Sequence, residues 1–345
     1  MAGTPLPQDL SLSQPAHLAR AISIVENGRP GFEQLLGSIH AKLGRAHRIG
    51  ITGPPGAGKS TLTHQLAAHY RKQGLTVAIV AVDPTSPFTG GALLGDRIRM
   101  EQVALDPGVF IRSMATRGSL GGLATTTREA CDVLDAAGFD RILIETVGVG
   151  QSELDVAKMA DTTILVLVPE SGDGIQTLKS GVMEIADVFV VNKADRPGAG
   201  KLQMEIDVTL GIRKGNAFRR IKSHHGASLR SVGAVETAPN GPPAWEPPVL
   251  LATAAEGTGI VEVADAIGRH RASMETTGEL ATRRRRRLQL RAREVISRAV
   301  ERWIWNESET NAIIERHTDD MVAGRISPYD LAAEVVAGMK EGARV

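Results

Sequence analysis

The chain of 345 residues holds a single cysteine, Cys131. No disulfide can form within it, and a reducing compartment is the expected setting. No run approaches the ~18 consecutive apolar residues that a membrane span needs. The opening residues MAGTPLPQDLSLSQPAH have no apolar core of the signal-peptide kind. A cytoplasmic protein without a membrane partner is therefore the expectation. Charge of one sign is also lacking: 40 Lys and Arg stand against 39 Asp and Glu, a net charge of +1. Charge balance thus points to neither nucleic acid nor an anionic lipid surface. Soft metal ligands are scarce, since the nine histidines include only one adjacent pair, His224 and His225. Two such ligands do not close a transition-metal site.

What is present is an apolar fraction of 42%, enough for one large domain with extensions or for two domains. Residues 1–45 read as an N-terminal helical extension, with helical pieces near 15–25 and 30–43. From residue 46 to about 275, short β-branched runs alternate with helical stretches: HRIGIT, TVAIVAVD, VFIRSMA, RILIETV, TTILVLV, VFVVNKAD and PVLLATA. Continuous apolar strands separated by helices predict an α/β fold, its central sheet mostly parallel and covered on both faces. The segment APNGPPAWEPP is a Pro-rich loop before the last strand, and a helix over about 259–275 follows it. From 276 to 345 the strand signals stop. One long helix to about residue 305 and two shorter ones are expected there, with Asn306 and Ser327 as N-caps. The run Arg283–Arg287 reads as a solvated helix face or a contact for acidic partner residues. No aromatic interleaving or groove-reading motif accompanies it. Trp303 and Trp305 read as packing or interface residues.

The strongest motif is GPPGAGKS, from Gly53 to Ser60. It fits G-x-x-x-x-G-K-[ST] at every position and lies between a predicted strand and a predicted helix. Across Gly53, Pro54, Pro55, Gly56, Ala57 and Gly58, and on to Thr61, backbone N–H groups can converge on phosphate oxygens at a helix N-terminus. Lys59 is expected to reach the β- and γ-phosphates and Ser60 to ligate Mg²⁺. A second motif, NKAD at Asn192–Asp195, closes the strand VFVV. The Asp195 carboxylate can accept both the N1–H and the N2 amino group of guanine, whereas adenine offers neither. A mismatch would leave buried polar groups unpaired. Asn192 would tie this loop to the phosphate loop, and Lys193 would lay its stem along the base. Both motifs fall at strand ends where ligands of such sheets bind, which favours GTP over ATP. In LATAAEG, Thr253 and Ala254 sit where a backbone N–H could meet guanine O6.

Acids complete the set. Asp83 ends a strand, Asp96 lies in GALLGDRIRM and Glu145 ends the strand of ILIETVGVGQS. Each can contact Mg²⁺ through water, and Asp83 is the candidate for positioning the attacking water. Gly148 leaves the backbone free to approach the γ-phosphate. Val149 follows where many such proteins place a water-orienting Gln, and Gln151 comes two residues later. Slow intrinsic hydrolysis is the consequence.

Taken in order, GPPGAGKST, VAVDPTSPFTGGALLGDRIRM, SMATRGSLGGLA, ILIETVGVGQSE, DGIQTLKSGVMEIAD and NKAD resemble the MeaB/ArgK-type G proteins over about residues 15–340. The human methylmalonic aciduria type A protein is of the same kind. The branch also holds the signal-recognition-particle and nickel-insertion GTPases, which commonly work as nucleotide-gated dimers. The resemblance implies a P-loop GTPase that serves as chaperone to an adenosylcobalamin-dependent acyl-CoA mutase, usually methylmalonyl-CoA mutase. It would gate cofactor loading and protect or reactivate the mutase. The resemblance further places Asp83 and Asp96 in a first switch and Glu145 in a second. Residues 171–181 resemble a third switch that contacts the mutase through Asp173, Gln176 and Lys179. The C-terminal helices resemble a homodimerisation arm. Three other readings stay open: a nickel metallochaperone GTPase, a kinase-like or ATP-driven enzyme, and a nucleotide-gated dimeric scaffold whose hydrolysis is incidental. Older usage calls such proteins transport-system kinases, but no motif for phosphorylating an acceptor protein is evident here.

Overall fold

The computed structural model describes residues 12–84, 105–116, 122–146, 152–170, 183–213 and 244–342. The seven apolar runs become seven strands: β1 (His47–Thr52), β2 (Val77–Pro84), β3 (Val109–Thr116), β4 (Arg141–Thr146), β5 (Thr162–Leu167), β6 (Val188–Asn192) and β7 (Val249–Ala252). They form one sheet in the order β3-β2-β4-β1-β5-β6-β7, with every pairing parallel. β1 lies near the middle, His47 to Ile51 running against Arg141 to Glu145 of β4 and Ile49 to Thr52 against Thr162 to Leu165 of β5. Strand order reverses there, so the loop after β1 opens into the crevice between outgoing connections.

Alternation along the strands feeds two faces. From β2, Val77 and Ile79 join Ile49, Ile51 and Leu143 in a core beneath α3 (Lys59–Lys72) and α7 (Ile260–Thr277), which contribute Leu62, Leu66, Val263 and Ile267. Ala78, Val80 and Val82 point the other way with Ile142 and Ile144. That face is covered by α1 (Pro15–Glu26), α2 (Phe32–Ile39), α4 (Gly122–Ala136) and α5 (Ser152–Met159), through Ile22, Ile39, Leu134 and Val156 among others. A third cluster sets Leu202 and Ile206 of α6 (Ala199–Arg213) on Leu165, Phe189 and Val191. Each fully buried residue of the Ile22 or Leu134 kind contributes about 1.5–3 kcal/mol. α1 and α2 are thus part of the sheet's covering layer. Pro15 opens α1, where its missing N–H costs nothing.

One buried carboxylate fixes how the chain enters β1. Asp135, 1% exposed, accepts the N–H groups of Gly44, Arg45 and Ala46 at 2.9, 3.1 and 2.9 Å. Arg48 reaches both Asp132 (2.8 Å) and Asp135 (3.1 Å).

The chain divides into two compact units, residues 1–281 and 282–345. Among its described residues the second holds helices joined by short turns: most of α8 (Glu279–Arg302), then α9 (Thr310–Val322) and α10 (Pro328–Gly342). Two expectations need correction here. The helix foreseen from 276 to 305 is broken, because Gly278 adopts a left-handed conformation (φ 75°) and ends α7 before α8 begins. Asn306 caps nothing; it lies inside a π-helical turn, Trp303–Glu307, and Ser308 Oγ instead accepts the Thr310 N–H at 3.3 Å. Ser327 does cap α10, its Oγ accepting the Asp330 N–H at 3.2 Å while the Asp330 carboxylate accepts the Ser327 N–H at 3.1 Å. Among the described residues no helix is long and apolar enough to cross a membrane.

Candidate functional site

The loop after β1 is shaped by two glycines that no other residue could replace. Gly53 has φ 140°, and a Cβ there would lie 2.0 Å from the Val166 carbonyl oxygen. Gly58 has φ 86° and abuts the Asn192 amide, 2.3 Å from where a Cβ would sit. Between them Pro55 and Gly56 are exposed and Ala57 is buried, its N–H donating to Pro54 O at 3.2 Å. α3 starts at Lys59, so its first N–H groups face the loop's concave side.

Lys59 is 6% exposed, and its Nζ donates to the carbonyls of Gly53 and Pro54, both at 2.9 Å. The ammonium is thereby held inside the loop's arch. Ser60 Oγ donates to Glu145 Oε1 at 2.5 Å. Glu145, 5% exposed, stands opposite Ile51 on β4, and the next pair, Thr146 and Thr52, is joined hydroxyl to hydroxyl at 3.2 Å. A serine hydroxyl and a carboxylate oxygen in contact beside a buried ammonium make a hard-oxygen donor set, the kind Mg²⁺ prefers. Thr61 is exposed on the first turn of α3.

Asn192 joins three loops. Its Nδ2 donates to Ala57 O at 2.8 Å and its Oδ1 accepts the Ala254 N–H at 3.0 Å. Lys193 follows with φ 55°, the one non-glycine residue with positive φ among those described, and Ala194 N–H donates to Ala252 O at 3.0 Å. Asp195 is exposed at the open edge this turn creates. Beside it Arg196 pairs with Glu170; that hydrogen bond holds the Glu170 carboxyl below its ordinary range. Thr253 and Ala254 are in the same corner, but both N–H groups are engaged, Thr253 with Thr258 O at 3.0 Å and Ala254 with Asn192. The next residue, Ala255, is exposed. Sequence reasoning passed over it, although it is the third small residue of the same TAA run.

The backbone of Asp83 is next to last in β2, opposite Ala115 of β3; its side chain lies outside the described residues. Asp96, Gly148, Val149, Gln151, Asp173, Gln176, Lys179, His224 and His225 also lie outside them.

The sequence model of the family described as methylmalonyl-CoA mutase-associated GTPase MeaB matches residues 18–309. A putative GTPase of Pyrococcus abyssi is 44% identical over 321 residues, spanning 93% of this chain and 90% of the relative. The mouse mitochondrial methylmalonic aciduria type A homolog is 36% identical over 266 residues, 77% of this chain and 56% of the mouse protein. Among solved structures, that of a LAO/AO transport system kinase aligns with 98% of this chain and all of its own, at 25% identity and a TM-score of 0.63. The phosphate loop, the parallel sheet that carries it and these likenesses agree: the chain belongs to the MeaB family of methylmalonyl-CoA mutase-associated GTPases and is a P-loop enzyme that hydrolyses GTP.

Proposed function

We propose that the chain is a GTP-gated chaperone for an adenosylcobalamin-dependent acyl-CoA mutase of the methylmalonyl-CoA mutase type, working as a homodimer. It gates cofactor loading and protects or reactivates the mutase. The observation that carries the nucleotide part is the contact of Ser60 with Glu145 at 2.5 Å beside the arched Lys59. The family match and the mouse relative support the mutase part.

In this reading the backbone from Gly53 to Thr61 cradles the phosphates. Lys59 exchanges its two carbonyl partners for phosphate oxygens, so its charge moves from the loop's own backbone to the substrate. Ser60 would ligate Mg²⁺, with Glu145, Asp83 and Asp96 reaching it through water. When bound, Mg²⁺ neutralises charge that develops on the phosphate oxygens during transfer. Asp83 orients the attacking water, and Gly148 lets the second switch follow the γ-phosphate. Asp195 reads the guanine N1–H and N2 amino group. Because Thr253 and Ala254 keep their N–H groups for internal bonds, the O6 contact moves to Ala255, while Thr253 and Ala254 hold that turn in place. Asp173, Gln176 and Lys179 face the mutase.

Hydrolysis by the isolated chain and by the chain mixed with a purified adenosylcobalamin-dependent mutase tests the reading. Slow turnover alone, well under ~10 s⁻¹, and acceleration by the mutase are expected. Turnover that no such mutase changes, together with no nucleotide-dependent complex in a pull-down, would refute the chaperone role. Lys59→Ala should lose tight GTP binding, and unchanged hydrolysis in that variant would refute the site.

A further inference from the structure

At the end of the sheet opposite the phosphate loop, a cavity of about 720 Å³ opens between the C-terminal end of α3 and one face of α7. Its inner wall includes Tyr70 from α3 and the first residues of two strands, His47 of β1 and Arg141 of β4; Asp265, Arg271 and Glu275 of α7 form the outer wall.

The inner wall is poorly satisfied by the protein itself. Tyr70 is 4% exposed; the Arg141 guanidinium stands beside its buried hydroxyl, whose own proton finds no acceptor among the described residues. Burial pushes that phenol up to about 12, so it stays a donor. The Arg141 guanidinium carbon lies 5.3 Å from the Tyr70 ring centroid. One of its nitrogens donates to the Asp140 carbonyl at 3.0 Å, and among the described residues no carboxylate sits within ion-pair distance of it. The Asp140 carboxylate is committed to the Thr76 N–H and hydroxyl, both at 2.8 Å. Arg271, close enough for its charge to oppose that of Arg141, is held by Glu275 at 2.8 Å. His47 adds no charge, since burial pushes it down to about 3. The acids Glu262, Asp265 and Glu275 are all exposed on α7. The Arg141 guanidinium and the Tyr70 hydroxyl thus stand inside, and the rim on α7 carries the carboxylates together with the guanidiniums of Arg269 and Arg271.

We propose that this cavity is a second ligand site, taking a small oxyanion of low charge, a carboxylate or a phosphate group, between Arg141, Arg271 and the Tyr70 hydroxyl. A planar guanidinium matches two oxygens of either group. A buried hydroxyl gains the acceptor it lacks. The acids on α7 oppose a ligand of high negative charge. The site is separate from the nucleotide site, yet joined to it by β1 and α3, each of which has one end at each site.

The test uses the full chain saturated with GDP and Mg²⁺, so that the phosphate loop is filled. Sodium acetate and inorganic phosphate are titrated separately at constant ionic strength while arginine side-chain N–H resonances are followed by NMR. The resonances missing from Arg141→Gln and Arg271→Gln identify the two signals. Both signals should shift saturably with at least one anion. Response to acetate alone assigns a carboxylate, response to phosphate alone a phosphate group, and response to both the shared oxyanion chemistry. Arg271→Gln, at a partly exposed position, and Tyr70→Phe should each weaken binding by about three- to tenfold. No saturable shift with either anion overturns the proposal, and so does an affinity unchanged in both variants.

Discussion

At the scale of single residues, specificity rests on how few donors and acceptors are left uncommitted around the proposed base site. Asn192 uses both ends of its amide on the phosphate loop and on the turn after β7, which leaves Asp195, exposed beside it, to meet a purine edge. Replacing Asp195 with Asn puts an amide donor where guanine presents its own donors. GTP affinity should fall by roughly 10²-fold or more while xanthosine triphosphate, with a carbonyl at that edge, should gain. Competition of the two nucleotides on the variant checks this, and an unchanged preference for GTP would remove Asp195 from the base site. The NKAD motif made the Asn192 tether legible in the sequence, because its strand-end position implies it. The commitment of the Thr253 and Ala254 N–H groups was not legible. It depends on the Thr253–Thr258 turn and on which way the Asn192 oxygen faces, neither of which leaves a spacing signal.

At the scale of elements, all seven strands could be read from the sequence, since each is a short apolar run bounded by turn residues. The break between α7 and α8 could not be read with the same ease. Gly278 sits in an otherwise helical pattern, and only its left-handed φ turns a tolerated glycine into a stop. The entry to β1 depends on Asp135, whose three backbone contacts come from residues 89 to 91 positions away. Asp135→Ala strands those N–H groups and removes one partner of Arg48, so urea unfolding should show a loss of about 3–5 kcal/mol. A loss below 1 kcal/mol would mean that water replaces the carboxylate. At the start of β1, His47 bonds Thr162 at 2.8 Å, and Thr162 in turn bonds His270 at 2.9 Å. Burial pushes His47 down to about 3 from an ordinary 6.5. Below 6.5 the unfolded chain binds a proton that the folded chain refuses. Stability should therefore be fully held above pH 6.5 and fall as pH drops toward 3, by up to about 1.4 kcal/mol per pH unit. His64 is lowered by burial as well and acts with the same sign, so the comparison with His47→Gln between pH 7.5 and 5 isolates His47. Equal slopes for the two proteins would contradict the assignment.

At the scale of the whole molecule, the two compact units differ in how they treat apolar surface. The first buries it against both faces of the sheet. In the second, α8 and the turn after it leave Leu288, Val295, Ile296, Val300, Trp303 and Trp305 between 40% and 62% exposed. Such a surface fits the proposed homodimer arm. Light scattering should give twice the chain mass of 36.6 kDa, and Ile296→Asp should return a single chain. A monomeric wild type at micromolar concentration would rule out the arm in that role. The sequence offered the arm only through family resemblance, because the same helical pattern suits a helix packed within its own chain.

The Asn192 amide has a consequence for how this architecture can vary over time. One side chain sets the distances among the loops that follow β1, β6 and β7, so a residue inserted into any one of them would pull the other two out of register. Length changes should therefore be purged at these three connections. Across relatives, the three loops should drift in composition long before they drift in length.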